Sequence, residues 1–439
     1  MKENTITVIG GGLAGSEAAW QAATRGATVR LYEMRPASGT PVHRTGNLAE
    51  LVCSNSFKSL DPLNAHGLLK TEMDRFGSLI LNCARETRVP AGAALAVDRD
   101  TFPETVTREL EAHPNITVIR EEVQEIPDDG IVILAVGPLV SAAMAEAIAR
   151  FTGQDHLYFY DAIAPVIETD SINREIVFAA SRYDKGDGKD YLNCPMNSEE
   201  YDRFLLALLA GEKAELHDVD KTPFFEGCLP IEVMASRGRD TIRFGMMKPV
   251  GLTDPRTGRW PHAVVQLRQD NIAAEHYSMV GFQTRLKWPA QKEVFRLIPG
   301  LEKASFVRLG QIHRNCYINS PTVLLPTLQA RSRATLLFAG QISGVEGYTE
   351  STAGGLVAGI NAARIAAGLT PVVLPEETMI GSLLRYITSA DPKGYQPTNS
   401  AFGLLPPAPA GVRKKADRKR ARSERALKAL DGWLAETGP

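Results

Sequence analysis

Residues 5–33 read TITVIGGGLAGSEAAWQAATRGATVRLYE: a strand, a glycine turn, a helix and a second strand. Ile6, Val8 and Ile9 make the first strand apolar, and Ser16 to Thr24 begins an alanine-rich helix that Gly26 ends. Gly10, Gly12 and Gly15 fit G-x-G-x-x-G, and each glycine has its own reason. The first allows a tight turn, the second lets backbone approach a pyrophosphate, and the third lets helix and strand pack closely. The pyrophosphate then sits at the helix N-terminus. Glu33, closing the second strand, can accept hydrogen bonds from a ribose diol. Strand, turn, helix and terminal acid in one register predict a dinucleotide site rather than a turn that serves packing alone.

A second nucleotide signal follows at residues 334–364, ATLLFAGQISGVEGYTESTAGGLVAGINAAR. Leu336 to Phe338 form a short buried strand, Gly340 ends it, and Gly344 and Gly347 keep the next loop small. Ser351 to Arg364 reads as a helix rich in glycine and alanine, able to approach a flat ligand and aim its amides at it. This arrangement resembles the second FAD motif of the glutathione-reductase-like flavoproteins, which borders the ribityl chain and isoalloxazine. Gly340, Gln341, Gly347 and Tyr348 are therefore expected cofactor contacts, and FAD is favoured over NAD. No second G-x-G-x-x-G follows a strand, so NADPH or NADH is expected to dock transiently as reductant.

The segments NITVIREEVQEI (115–126) and GIVILAVGPLVSAAMAEAIAR (130–150) supply two further strands. Val123 is a candidate for backbone contact with the adenine, and Gly137 ends the second of these strands. From about Ser171 the texture turns rich in Gly, Pro and aromatics. The expected fold is α/β, a discontinuous glutathione-reductase-like FAD-binding Rossmann domain with an inserted mixed α+β domain. Residues 1–170 and 305–405 form the FAD-binding domain, and 171–304 the insertion. Residues 406–439 form a proline-rich break followed by a basic helix, with Ala416, Ala421, Leu427, Leu430 and Trp433 available to dock.

The bulk numbers exclude several classes. A chain of 439 residues is too long for one simple core. A net charge of -2 leaves any basic surface to local patches. No stretch approaches the roughly 20 apolar residues of a membrane span, and the N-terminus lacks a signal pattern, so a cytoplasmic location is expected. Five cysteines without close pairs argue against disulfides and metal centres alike. Cys53, in AELVCSNSFKS, and Cys228, in FFEGCLPIEVMASRG, each sit at a turn flanked by polar or charged residues. There a thiol can be exposed and lowered in pKa. Cys83 reads as core.

The stretches ELVCSNS, VPAGAALAVDR, YFYDAIAPV, YLNCPM, FEGCLPIEVMASRG, HRNCYINSP and FAGQISGVEGYTESTAGGLVAGINAAR resemble the folate- and FAD-dependent tRNA (uracil-5-)-methyltransferases. The likeness runs from residue 6 to about 405, and the late motif is shared with the tRNA wobble-uridine carboxymethylaminomethyl-modifying flavoproteins. Cys316 departs from the threonine expected there, so no catalytic role is expected of it. The resemblance implies transfer of a one-carbon unit from 5,10-methylenetetrahydrofolate to C5 of the T-loop uridine of tRNA, with reduced FAD supplying electrons. It makes Cys53 and Cys228 the functional cysteines. Cys228 is assigned to attack on uracil C6 and Cys53 to a general-base or flavin-side role, though the two could be exchanged. His313 is a candidate to position the pterin, and Arg99 either faces the substrate cleft or makes an ion pair. Arg237, Arg239, Arg243 and Lys248, with Arg413, Lys414, Lys415, Arg418 and Arg420 of the tail, are the expected phosphate contacts. No obligate protein partner is evident. The rival readings are a wobble-uridine-modifying flavoprotein and a stand-alone FAD/NAD(P)H oxidoreductase.

Overall fold

A computed structural model describes residues 5–40, 42–215, 224 and 229–438. Its first layer is a six-stranded sheet in the order Gln329–Ala330, Arg333–Phe338, Ile131–Leu134, Thr5–Ile9, Thr28–Tyr32, Ile116–Ile119. Only the first pair is antiparallel. Ile131–Leu134 is apolar at every position because both faces of the sheet are covered.

The helices Leu13–Thr24 and Tyr348–Ala366 pack against each other on this sheet. Their approach depends on glycine. A Cβ on Gly355 would fall 2.1 Å from the Ala14 carbonyl oxygen, and one on Gly359 2.4 Å from that of Ala18. The two nucleotide motifs, at opposite ends of the chain, thus meet in one layer.

A second, antiparallel sheet runs Phe178–Ala179, Tyr191–Met196, Ala263–Gln269, His276–Met279, Val166–Glu168, Phe306–Arg308. Two of its strands, Val166–Glu168 and Phe306–Arg308, lie a few residues beyond 171–304 at either end, because the entering and leaving segments pair with each other. The helices Ser198–Ala210 and Trp288–Phe295 close its core around Tyr201, Phe204, Phe282 and Phe295. A two-stranded ribbon, Leu157–Ala162 against Ile312–Tyr317, carries the chain out and back.

The basic segment forms one helix, Lys415–Thr437. Ala426 and Leu430 are buried, Leu427 and Trp433 pack on the main core, and Ser423 Oγ donates to the Pro62 carbonyl at 2.8 Å. Ala416 is exposed, contrary to expectation, because it lies in the first turn before contact begins. Among the described residues no helix is long and apolar enough to cross a membrane.

Candidate active site

A cleft of about 1060 Å³ opens where the parallel strands end, the usual ligand position in such sheets. Gly10, Gly12, Glu33, Val123, Gly137, Gly340, Gln341 and Tyr348 all line it. Gly10 has φ +102°, and a Cβ there would sit 2.4 Å from the Ala135 carbonyl oxygen. A Cβ on Gly12 would meet nothing within 4 Å, so this backbone faces open space, as close approach of a phosphate requires. Gly15 and Gly347 shape the cleft from behind. A Cβ on Gly15 would lie 1.8 Å from the Gly10 carbonyl oxygen, and one on Gly347 2.4 Å from Glu350 Oε2. These residues fit a flavin dinucleotide.

Glu33 has a second task. It accepts from the Gly11 N–H at 3.0 Å, and from Arg35 through its backbone N–H at 3.0 Å and Nε at 2.8 Å. Burial opposes its charge, yet the Arg35 hydrogen bonds and ion pair prevail and hold the carboxyl below its ordinary value. Lone pairs remain for a ribose diol. Arg35, His43 and Glu50, none of them singled out in the sequence, also line the cleft. Arg35 Nη1 donates to Glu50 at 3.0 Å, and burial with the Arg35 charge pushes His43 down to about 4.

Cys53 is partly buried, and its loop is clamped from three sides. Its N–H donates to Tyr348 Oη at 2.7 Å. Its carbonyl accepts from Arg308 Nη2 at 2.8 Å and Arg99 Nη2 at 3.4 Å. The same guanidiniums reach the carbonyls of Val52 (3.3 Å) and Leu51 (2.9 Å). Arg99 is itself held by Asp270 of the second sheet, at 2.8 and 3.1 Å, so the ion-pair alternative applies to it. Arg308 was not singled out from the sequence, where it sits in an unremarkable VRLG.

Burial, then the nearby Asp161 charge, pushes the Cys53 thiol up to about 12, against the opposite pull of Arg308 and Arg99. This corrects the expectation of a lowered pKa. Polar sequence neighbours do not solvate the sulfur, whose Sγ–H faces the Ala162 carbonyl at 3.7 Å.

His313 does not line the cleft; it sits opposite Asp161 on the ribbon, with Nε2 3.9 Å from Asp161 Oδ2. Its Nδ1 is buried with no hydrogen-bond partner among the described residues, and burial holds the imidazole below its ordinary value. Glu346 accepts from Gln341 Nε2, and burial with the Asp161 charge raises its carboxyl well above the usual range. Cys228 lies outside the described residues. Cys83, Cys194 and Cys316 are buried.

The expected phosphate contacts fall on two surfaces. Arg237 and Arg239 are exposed, Lys248 is half-buried, and Arg239 already forms a bidentate pair with Asp202 at 2.8 and 2.8 Å. On the tail, Arg413, Lys414, Lys415, Arg418 and Arg420 are all exposed.

Known proteins match at three levels. The family model described as Glucose inhibited division protein A matches residues 5–370. The solved structure of Aquifex aeolicus GidA in the form I crystal has a TM-score of 0.71 at 19% identity, covering 98% of this chain and 75% of that one. At that identity it establishes the fold alone. A protein of Symbiobacterium thermophilum named methylenetetrahydrofolate–tRNA-(uracil-5-)-methyltransferase TrmFO is 62% identical over 436 residues, covering 99% of this chain and 98% of its own. One of the same name from Geobacter sulfurreducens is 56% identical over 430 residues, covering 98% and 99%. A cleft built by two nucleotide motifs, a clamped cysteine at its side and likeness along almost the whole length agree: the chain belongs to the methylenetetrahydrofolate–tRNA-(uracil-5-)-methyltransferase family, within the broader family of Glucose inhibited division protein A.

Proposed function

We propose that this chain transfers the methylene of 5,10-methylenetetrahydrofolate to C5 of the T-loop uridine of tRNA (position 54). The products are 5-methyluridine and tetrahydrofolate. One observation carries the reading: the Cys53 N–H is bonded to Tyr348 Oη, and Tyr348 both lines the dinucleotide cleft and opens its second helix. A thiol is thereby fixed beside the place where a redox cofactor fits. Bound FAD, reduced by NADPH or NADH, supplies the two electrons that turn the methylene into a methyl group. A tRNA substrate agrees with a cytoplasmic location.

Uracil C5 is a poor nucleophile until a thiolate adds to C6 and creates an enolate. We assign that attack to Cys228. After C5 has bonded to the methylene carbon, a base removes the C5 proton and the C6–S bond breaks. Cys53 handles this proton. Held near 12, its thiol carries a proton at neutral pH. It therefore gives that proton to a tetrahydrofolate nitrogen as the carbon–nitrogen bond breaks, then takes one from C5. Both methylene carbon–nitrogen bonds break over the cycle, so the folate gains two N–H protons. Cys53 gives one and regains its own from C5, the other accompanies the hydride that the reduced cofactor would supply, and Cys53 ends as it began.

The test is incubation with an unmodified tRNA transcript, NADPH and methylenetetrahydrofolate carrying a labelled methylene. Label is expected in 5-methyluridine. Flavin oxidation with no label in RNA would overturn the reading in favour of a stand-alone oxidoreductase. Cys228→Ala should bind FAD normally and lose methylation by at least ~10²-fold; unchanged turnover would remove its assigned role.

A further inference from the structure

On the inserted domain, well away from the cleft, an open groove of about 1570 Å³ is lined by Arg203, Arg256, Arg259 and Arg296, with Trp260 and His262. We propose that this groove is a second RNA-docking surface that grips an unpaired stretch of the substrate outside the reacting uridine. The inference rests on the tRNA reading above and gives it a location beyond the basic residues already named.

Three acids share the groove, and one of them, Asp254, is paired with a guanidinium. Glu200 accepts from the Asn197 N–H at 2.8 Å in a helix cap. Asp254 is buried and paired with Arg256 at 2.9 Å. Glu302 accepts from the Gly300 N–H at 3.0 Å. The arginines are less committed. Among the described residues Arg203 and Arg259 make no ion pair, and Arg296 donates only to the Ala304 carbonyl. The three guanidiniums outside the Asp254 pair, on Arg203, Arg259 and Arg296, can track a phosphodiester backbone.

Trp260 supplies what a phosphate site alone would not. It is 58% exposed, an unusual state for so large an apolar side chain, and it follows a turn closed by the Asp254 N–H donating to the Arg259 carbonyl at 3.0 Å. An indole face beside arginines is a stacking platform for a base. Burial, then the charges of Arg243 and Arg239, hold His262 below its ordinary value despite Asp202 and Asp240.

The groove also stands at a useful distance. The strand Ala263–Gln269 has Met196, a groove residue, paired at its Ala263 end. At its other end the Gln269 carbonyl accepts from Asn55, two residues past Cys53, at 3.0 Å. Six residue steps of roughly 3.3 Å put the groove about 20 Å from the thiol loop. Binding there holds the body of a folded RNA while one base is presented to the cleft.

The test uses the full-length FAD-bound enzyme and fluorescently labelled tRNA transcript, titrated at several salt concentrations. Arg203→Ala/Arg259→Ala should weaken binding about tenfold and make the slope of log K against log salt less negative by up to about 2. Trp260→Ala should cost on the order of tenfold in affinity, with Trp260→Phe recovering most of it. In methylation the loss should appear in KM for tRNA, and the flavin spectrum and melting temperature should match wild type. Wild-type affinity and salt slope in all three variants would overturn the proposal. Binding needs no turnover, so an enzyme that grips tRNA through the groove yet transfers no label would refute the reaction and leave the groove standing.

Discussion

A cysteine is chemically available only as far as its surroundings let it lose a proton. Cys53 has two guanidiniums on its carbonyl side, which favour the thiolate, and burial with Asp161 on the other, which oppose it. The second pair wins. At pH 8 a thiol near 12 is ionised to about one part in 10⁴, against roughly a fifth for an ordinary one. Iodoacetamide should therefore label Cys53 of the cofactor-free chain on the order of a thousandfold more slowly than a free thiol. Asp161→Asn removes a charge that raises the pKa, so labelling should quicken about tenfold; Arg308→Met should slow it. Peptide mass spectrometry across pH 7–10 reads each rate, and a wild-type profile that titrates near 8.5 would defeat this account. The sequence marks Cys53 as unusual through Ser54, Asn55 and Ser56. It hides the sign of the effect, because Asp161 and Arg308 reach the sulfur only through the ribbon and the second sheet.

Helix Tyr348–Ala366 poses a contest between propensity and packing. In an isolated helix, Gly→Ala is favourable by roughly 0.8–1 kcal/mol. At Gly355 the new Cβ would lie 2.1 Å from a backbone oxygen of the neighbouring helix, which no side-chain rotation can relieve. Overpacking of this kind costs typically 1–3 kcal/mol, so Gly355→Ala should be destabilising on balance and weaken FAD retention. Gly432, inside helix Lys415–Thr437, is the counterpart, since a Cβ there meets nothing within 4 Å. Gly432→Ala should stabilise the chain by up to about 1 kcal/mol. Thermal melting of the two variants should thus shift in opposite directions, and a shift of the same sign in both would contradict the packing argument. The glycine-rich texture reads as a close approach to a flat ligand, whereas Gly355 and Gly359 face backbone oxygens of another helix. That the partner is helix Leu13–Thr24 was not legible, because the facing oxygens belong to Ala14 and Ala18, residues with no distinguishing mark.

At the scale of the whole molecule, the two nucleotide motifs at opposite ends of the chain were enough to read a split domain, since each is a local pattern with its own spacing. The joint between the two sheets was not readable, because its partners are far apart in sequence and ordinary in type. Gly92 N–H donates to Asp190, Asn55 bonds Arg268, and Arg99 bonds Asp270. The last pair couples architecture to the site, since Arg99 also holds the carbonyls of Leu51 and Cys53. Burial opposes the Asp270 charge, but the charge and hydrogen bonds of Arg99, with the Ser278 hydroxyl at 2.5 Å, bring the carboxyl down to about 2. A carboxyl whose folded pKa is depressed stabilises the fold above its unfolded value near 3.9 and loses that contribution as pH falls through about 2. The contribution is about 2.6 kcal/mol, so the melting temperature should fall between pH 4 and pH 2. Asp270→Asn should flatten that acid limb. At pH 7 it should cost about 3–5 kcal/mol, because it leaves the buried Arg99 charge beside Arg308 without its partner. Urea unfolding at pH 7 and melting from pH 5 to 2 measure both effects; a variant as stable as wild type at pH 7, with the same acid limb, would show that this pair does not join the domains. The same variant should change Cys53 labelling, because loosening Arg99 frees the Leu51 carbonyl and leaves that of Cys53 to Arg308 alone.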